Sequence, residues 1–313
     1  MKTAKNIPVL AGAALMALAA NAPASAQGLM TMAVPDWTGA AVTCQVLAHV
    51  LENEMGYKVK HVTIPSGAPV MEAIKGGDID LGCELWPSYN PTKGKYFKEW
   101  GGDGSIVTLG ESGIVGKSSY YVPRYLVEGP DAKAPDLKKF ADLGKYVDLF
   151  KTLESGDKGR VLGCPTPAWE CDDQGRLDAY GLNFHAVELG SETAHWAEMQ
   201  GLFKRGEPFV AYAWEPHWIH AELDLVALEL DPYGDGSAWP KSGWAVDVTV
   251  NYGRGDIMET DPKVAQMITN SNMPNDVQAK LILAVDVEGK DMEDVVEAWM
   301  AENETTWKAW LPK

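Results

Sequence analysis

The stretch that most constrains this chain lies near its start. Between residues 29 and 87 it alternates strand, helix, strand, helix and strand with short connections. Leu29 to Val34 reads as a strand. Thr38, a capping residue, opens a predicted helix that runs to about Met55, with Val46, Leu47, Val50 and Leu51 on one face and Gly56 at its C′ position. Tyr57 to Ile64 alternates polar and apolar residues as a second strand, and Gly67 to Lys75 is a short helix stopped by Gly76-Gly77. Ile79 to Cys83 is a third strand, leading into Glu84-Leu85-Trp86-Pro87. Such a run buries its apolar faces as a parallel sheet with right-handed crossovers. Ligands of such sheets bind beyond the carboxyl ends of the strands. Trp37 and Trp86 both fall at such ends.

The remainder repeats the theme with a different texture. Ser118 to Val122 is a predicted strand, Leu137 to Leu143 a helix, and Gly159 to Gly163 a strand entering the loop that holds Cys164, Trp169 and Cys171. Arg176 to Tyr180 starts a short helix, Ser191 to Phe203 is a longer one, and Phe209 to Trp214 is a strand that leads into Glu215-Pro216-His217-Trp218. Ala245 to Asn251 is a strand expected to cross back into the first region. Helices are predicted over Pro262 to Met267, Asn275 to Asp286 and from near Met292. The expected fold class is therefore α/β with two lobes. Residues 27–118 plus 245–313 form a discontinuous first lobe, and 119–244 form an inserted second one. Two crossings make a hinge, and a hinge allows closure on a ligand.

Residues 1–26 read as a secretory signal peptide: Lys2 and Lys5, the apolar run Ile7 to Ala20, and Ala24-Ser25-Ala26 as the cleavage site. The run is shorter than the roughly 20 apolar residues of a membrane span. No cysteine follows the cut, so a lipid anchor is not expected, and the product is expected in the periplasm. A balance of 27 basic against 44 acidic residues argues against nucleic acid and anionic membrane surfaces as partners. A monomer is expected. Export permits disulfides. Cys164 and Cys171, separated by a Pro-containing loop, are expected to pair, whereas Cys44 and Cys83 are open between a second bridge and buried thiols. No Cys or His spacing suits structural zinc, and the oxygen-rich turns Asp172-Asp173 and Asp231 to Asp235 lack the spacing of a dedicated calcium loop. No cofactor is implied. An enzyme is not expected, since there is no GxSxG elbow and Glu215 with His217 reads as loop shaping.

Twelve tryptophans against six phenylalanines is an unusual ratio. Trp100, Trp196, Trp299, Trp307 and Trp310 read as core, and Trp239 and Trp244 as hinge packing. Trp37, Trp86, Trp169 and Trp214 differ, because each lies at a strand end or in a Pro-containing loop, two per expected lobe. No Lys or Arg lies within a few residues of them. Converging aromatic faces suit a cation without exposed protons, such as a trimethylammonium or dimethylsulfonium group. Tyr89, Tyr212 and Trp218 are further contributors.

With Gly77-Asp78-Ile79-Asp80 and the closing Val295 to Trp310, these residues resemble the periplasmic binding proteins of ABC importers for glycine betaine, choline and related onium osmolytes. The resemblance covers most of the mature chain. It implies a type II-like clamshell, a small methylated onium ligand and an ABC permease in the inner membrane as partner. It maps the aromatic box onto Trp86, Trp169 and Trp214, and likens the loop cysteines to the family's loop disulfide. It gives the N–H groups of Glu170 and Cys171 to a ligand carboxylate. Asn90 stands where the family has a histidine and supplies no charge. Trimethylamine N-oxide, dimethylsulfoniopropionate and choline therefore stand beside glycine betaine. Glu84 near the box either balances a cation, donates to an N-oxide oxygen when protonated, or is a solvated or hinge-bonded acid. A periplasmic sensor module using the same cleft is the competing class.

Overall fold

In the computed structural model, which describes residues 28–88, 93–234 and 237–313, the N-terminal alternation closes as a parallel sheet. The signal peptide lies outside the described residues. Strand β1 (Leu29–Val34) pairs with β2 (Lys58–Thr63), Leu29 opposite Lys58, and with β3 (Leu81–Leu85), Met32 opposite Leu81. Helices α1 (Thr38–Asn53) and α2 (Ala68–Gly76) form the crossovers. The apolar stripe of α1 is buried, with Val46, Val50 and Leu51 fully so. Thr38 does not cap it. Trp37 occupies the N-cap position in extended conformation and makes no side-chain cap bond, while the Thr38 hydroxyl donates to Asp286 Oδ1 at 2.7 Å.

Six more strands extend this sheet. They are β4 (Ile106–Pro123), β5 (Gly159–Leu162), β6 (Phe184–Val187), β7 (Ala211–Glu215), β8 (Leu225–Ala227) and β9 (Val246–Arg254). Their order is β2-β1-β3-β9-β4-β7-β5-β6, with β8 also on β4. Strands 2-1-3 are parallel to one another, as are 7-5-6, and the antiparallel pair β9-β4 joins the two groups. β4 begins at Ile106 rather than Ser118. Gly110 and Gly113 adopt positive φ, and the register with β9 shifts at Glu111, so the first half of the strand lacks the alternation that marks one. Lys117 faces both Val246 of β9 and Glu215 of β7.

The expected helix at 137–143 is replaced by 3-10 turns at Phe140–Lys145 and Val147–Phe150. Phe140 and Leu143 are buried by these tight turns, so their spacing mimics a helix face. Further helices are α3 (Glu192–Lys204), capped by Ser191, α4 (Asn275–Asp286) and α5 (Met292–Glu302). The last two pack on α1. Trp307 and Trp310 are buried beyond α5, with Trp299 stacked on Trp310, which fits their reading as core.

Both pairs of cysteines are bridged. Cys164–Cys171 forms as expected, and Cys44–Cys83 ties α1 to β3. Loop-closure entropy makes the longer bridge, spanning 39 residues against 7, the more stabilising. Replacing Cys44 and Cys83 by alanine is expected to lower unfolding free energy by about 4 kcal/mol, against about 2.5 kcal/mol for Cys164 and Cys171. Urea denaturation of the two double variants measures the difference; equal losses would count against the entropic account.

Candidate functional site

Four tryptophans from four separate segments meet between the two parallel groups. Trp37 comes from the β1–α1 turn, Trp86 follows β3, Trp169 ends the turn Pro167–Trp169, and Trp214 lies on β7. The Trp37 ring is 6.2 Å from Trp86, 6.2 Å from Trp169 and 6.0 Å from Trp214, and each pair is steeply inclined. Trp169 and Trp214 are 5.4 Å apart. Trp86, Trp169 and Trp214 are buried.

Three of the rings are held from behind. Trp169 rides on a turn that Thr166 caps by accepting from Ala168 N–H at 3.0 Å, closed by the Cys164–Cys171 bridge. Its Nε1 donates to Asp36 Oδ1 at 3.1 Å. Trp196 on α3, read from the sequence as simple core, lies 4.9 Å behind Trp214. Gly116 of β4 gives the Trp86 ring its place, since a Cβ there would collide with it.

The rings enclose a cavity of about 80 Å³ that also touches Tyr212, Tyr252, Ser66 and Gly67. Among the described residues no Lys, Arg or His lines it, whereas two carboxyl groups do, those of Glu84 and Glu170. Glu84 is neither solvated nor exposed. It sits at φ 58° and is buried, Oε2 accepting from Thr43 at 2.9 Å and Gln278 at 2.5 Å, and Oε1 from Trp86 Nε1 at 3.2 Å. Burial pushes its carboxyl up from 4.5 to about 8, against the pull of those hydrogen bonds. Glu170 also has positive φ, and burial raises its carboxyl too. Its N–H, expected to face a ligand carboxylate, donates to Pro167 O at 3.1 Å within the turn. Cys171 follows as the buried end of the bridge. Asn90 and Tyr89 lie outside the described residues.

The other residues singled out in the sequence take the following places. Trp239 and Trp244 stack on the guanidinium of buried Arg176, at 4.6 and 4.0 Å from their ring centres. Trp218 Nε1 donates to Asp286 rather than entering the cavity. His217 faces Glu192, while Glu215 accepts from Tyr121, so His217 and Glu215 form no acid/base pair. Tyr252, Ser66, Gly67 and Gly116 were not legible as site residues. Gly67 is the one with a local signal, a glycine whose positive φ is strained in any other residue.

The chain matches, over residues 29–302, the family described as the substrate binding domain of ABC-type glycine betaine transport systems. This protein belongs to that family. A glycine betaine/proline betaine-binding periplasmic protein of Escherichia coli (strain K12) is 23% identical over 284 residues, covering 83% of this chain and 79% of the relative. Among solved structures, the glycine betaine/L-proline-binding protein ProX of Borrelia burgdorferi superposes with a TM-score of 0.73 at 18% identity, covering 91% of this chain and 97% of that one. A choline-binding protein of an ABC transporter, in complex with choline, gives 0.74 at 20% identity, covering 90% and 91%. The fold is thus that of the two-lobed periplasmic binding proteins. Membership makes the chain a substrate-binding component rather than an enzyme. Among the described residues no helix is long and apolar enough to cross a membrane.

Glu84 makes a pH-linked prediction. Its folded-state carboxyl titrates near 8 and its unfolded one near 4.5, so between these values the folded state holds a proton the unfolded state has lost. Stability then falls as pH rises through that window, at up to about 1.4 kcal/mol per unit. Glu84→Gln should flatten the decline in Tm between pH 5 and 8. An unchanged slope would mean that Glu84 is ionised in the folded protein.

Proposed function

We propose that the box binds a compact methylated onium solute whose oxygen lies beside the cationic centre, with trimethylamine N-oxide the best fit in its class. The observation that carries this reading is the lining: aromatic faces and two carboxyl groups, with no basic side chain among the described residues. A distal carboxylate, as in glycine betaine, would meet no basic side chain among the described lining residues. A protonated Glu84 instead offers an O–H to an N-oxide oxygen, while the rings surround the methyl groups. Each ring contributes about 0.5–2 kcal/mol to a desolvated onium group.

In this reading Trp37 and Trp86 belong to a lobe of residues 27–118 plus 245–313, and Trp169 and Trp214 to a lobe of residues 119–244. The hinge lies where Lys117 touches both β9 and β7. Binding closes the lobes, and the closed form delivers the solute to an ABC permease after export directed by residues 1–26.

Isothermal titration against trimethylamine N-oxide, choline, dimethylsulfoniopropionate and glycine betaine, with tert-butanol as the uncharged isostere, tests the assignment. The N-oxide is expected to bind most tightly and the isostere not at all; preference for glycine betaine would overturn the reading. N-oxide affinity should fall as pH rises above about 8, where Glu84 loses its proton. In the same assay Trp169→Ala is expected to weaken binding by about 1–3 kcal/mol while circular dichroism stays unchanged.

A further inference from the structure

Two polar bridges join the halves on either side of the box, and both use the β1–α1 turn. On one side Asp36 accepts from Trp169 Nε1. On the other, Glu192 Oε2 accepts the Thr38 backbone N–H at 2.7 Å, and Asp286 accepts the Thr38 hydroxyl at 2.7 Å and Trp218 Nε1 at 2.9 Å. Trp37 sits between these two anchor points.

Thr38 is the first residue of α1, so its N–H is among the donors that a helix leaves without an internal partner. Trp37, in the cap position, makes no side-chain cap bond. The missing acceptor comes from the opposite half, because Glu192 is the first residue of α3. Its carboxylate therefore lies at the N-termini of two helices, where the partial positive charge of both favours an anion.

Glu192, His217 and Asp286 bring possible ligand atoms within 4.8 Å of one another, yet the arrangement does not suit a metal. The Ile219 N–H donates to His217 Nδ1 at 3.3 Å, which leaves the ring proton on Nε2, the atom 3.4 Å from Glu192 Oε1. Asp286 already receives two donors.

We infer that Glu192 is a closure latch, a positioning residue that caps α1 from the opposite lobe when the cleft shuts around its solute. The inference rests on reading the box as the solute site. In an opened cleft the Thr38 N–H turns to water. In the closed one the capped turn holds Trp37 against its three partners and slows release.

The test uses stopped-flow tryptophan fluorescence on the full mature chain, with whichever solute of the titration panel the wild type binds most tightly. If that solute is not the N-oxide, the ligand assignment fails while the latch is still examined. Glu192→Ala should release solute about tenfold faster, as expected for loss of a charge-assisted hydrogen bond, with little change in association. Glu192→Gln, which keeps an acceptor oxygen, should recover most of the loss. Thr38→Pro removes the donor at a position where proline suits a helix, after a Trp37 already extended at φ −140° and ψ 145°. It should release faster than Thr38→Val, which keeps the N–H. Adding Glu192→Ala to Thr38→Pro should change nothing further. Ligand-free Tm of Glu192→Ala should fall less than the ligand-bound Tm, since the contacts of Glu192 to its own helix and to His217 do not depend on closure. Unchanged release, additive effects, or a ligand-free Tm that drops as far as the ligand-bound one would overturn the latch.

Discussion

Buried backbone N–H and C=O groups must find partners, and between the two halves of this protein one strand pair meets that requirement. β4 pairs with β9 along its first part and with β7 and β8 along its last. Two walls of the box are set from this ladder. β3, which delivers Glu84 and Trp86, lies on the far side of β9, and Trp214 sits opposite Ser118 of β4. Gly116, in the same stretch, leaves the space that the Trp86 ring fills. A connection of two adjacent strands holds the halves in register.

Electrostatics then selects what the cleft can hold. Aromatic faces present negative potential to the cavity. Desolvation makes a charged Glu84 costly, so its carboxyl stays protonated well above the ordinary range. The same low-polarity enclosure strengthens the attraction of a ring for an onium group. Burial thus neutralises the acid within the aromatic enclosure.

Trp37 links the box to the outer frame. Its neighbours Asp36 and Thr38 make the bonds to the opposite half, and its ring touches the other three. α1, stapled to β3 by Cys44–Cys83 and covered by α4 and α5, gives that turn a rigid base.

Local patterning determined the parallel N-terminal unit, the export-compatible cysteine loop and the set of tryptophans placed at strand ends, because periodicity, glycine stops and Pro-containing loops act within a few residues. It also carried the family resemblance, which the match over residues 29–302 bears out. It did not reach the first half of β4, whose glycines and register shifts erase the alternation of a strand. Nor did it reach Tyr252, Gly67 or the pairing of Cys44 with Cys83, since nothing in a neighbouring residue says what will lie across a cleft or behind a sheet. The state of Glu84 was decided by tertiary structure alone. Its proton affinity depends on burial and on Thr43, Trp86 and Gln278, and two of these partners lie 41 and 194 residues away along the chain.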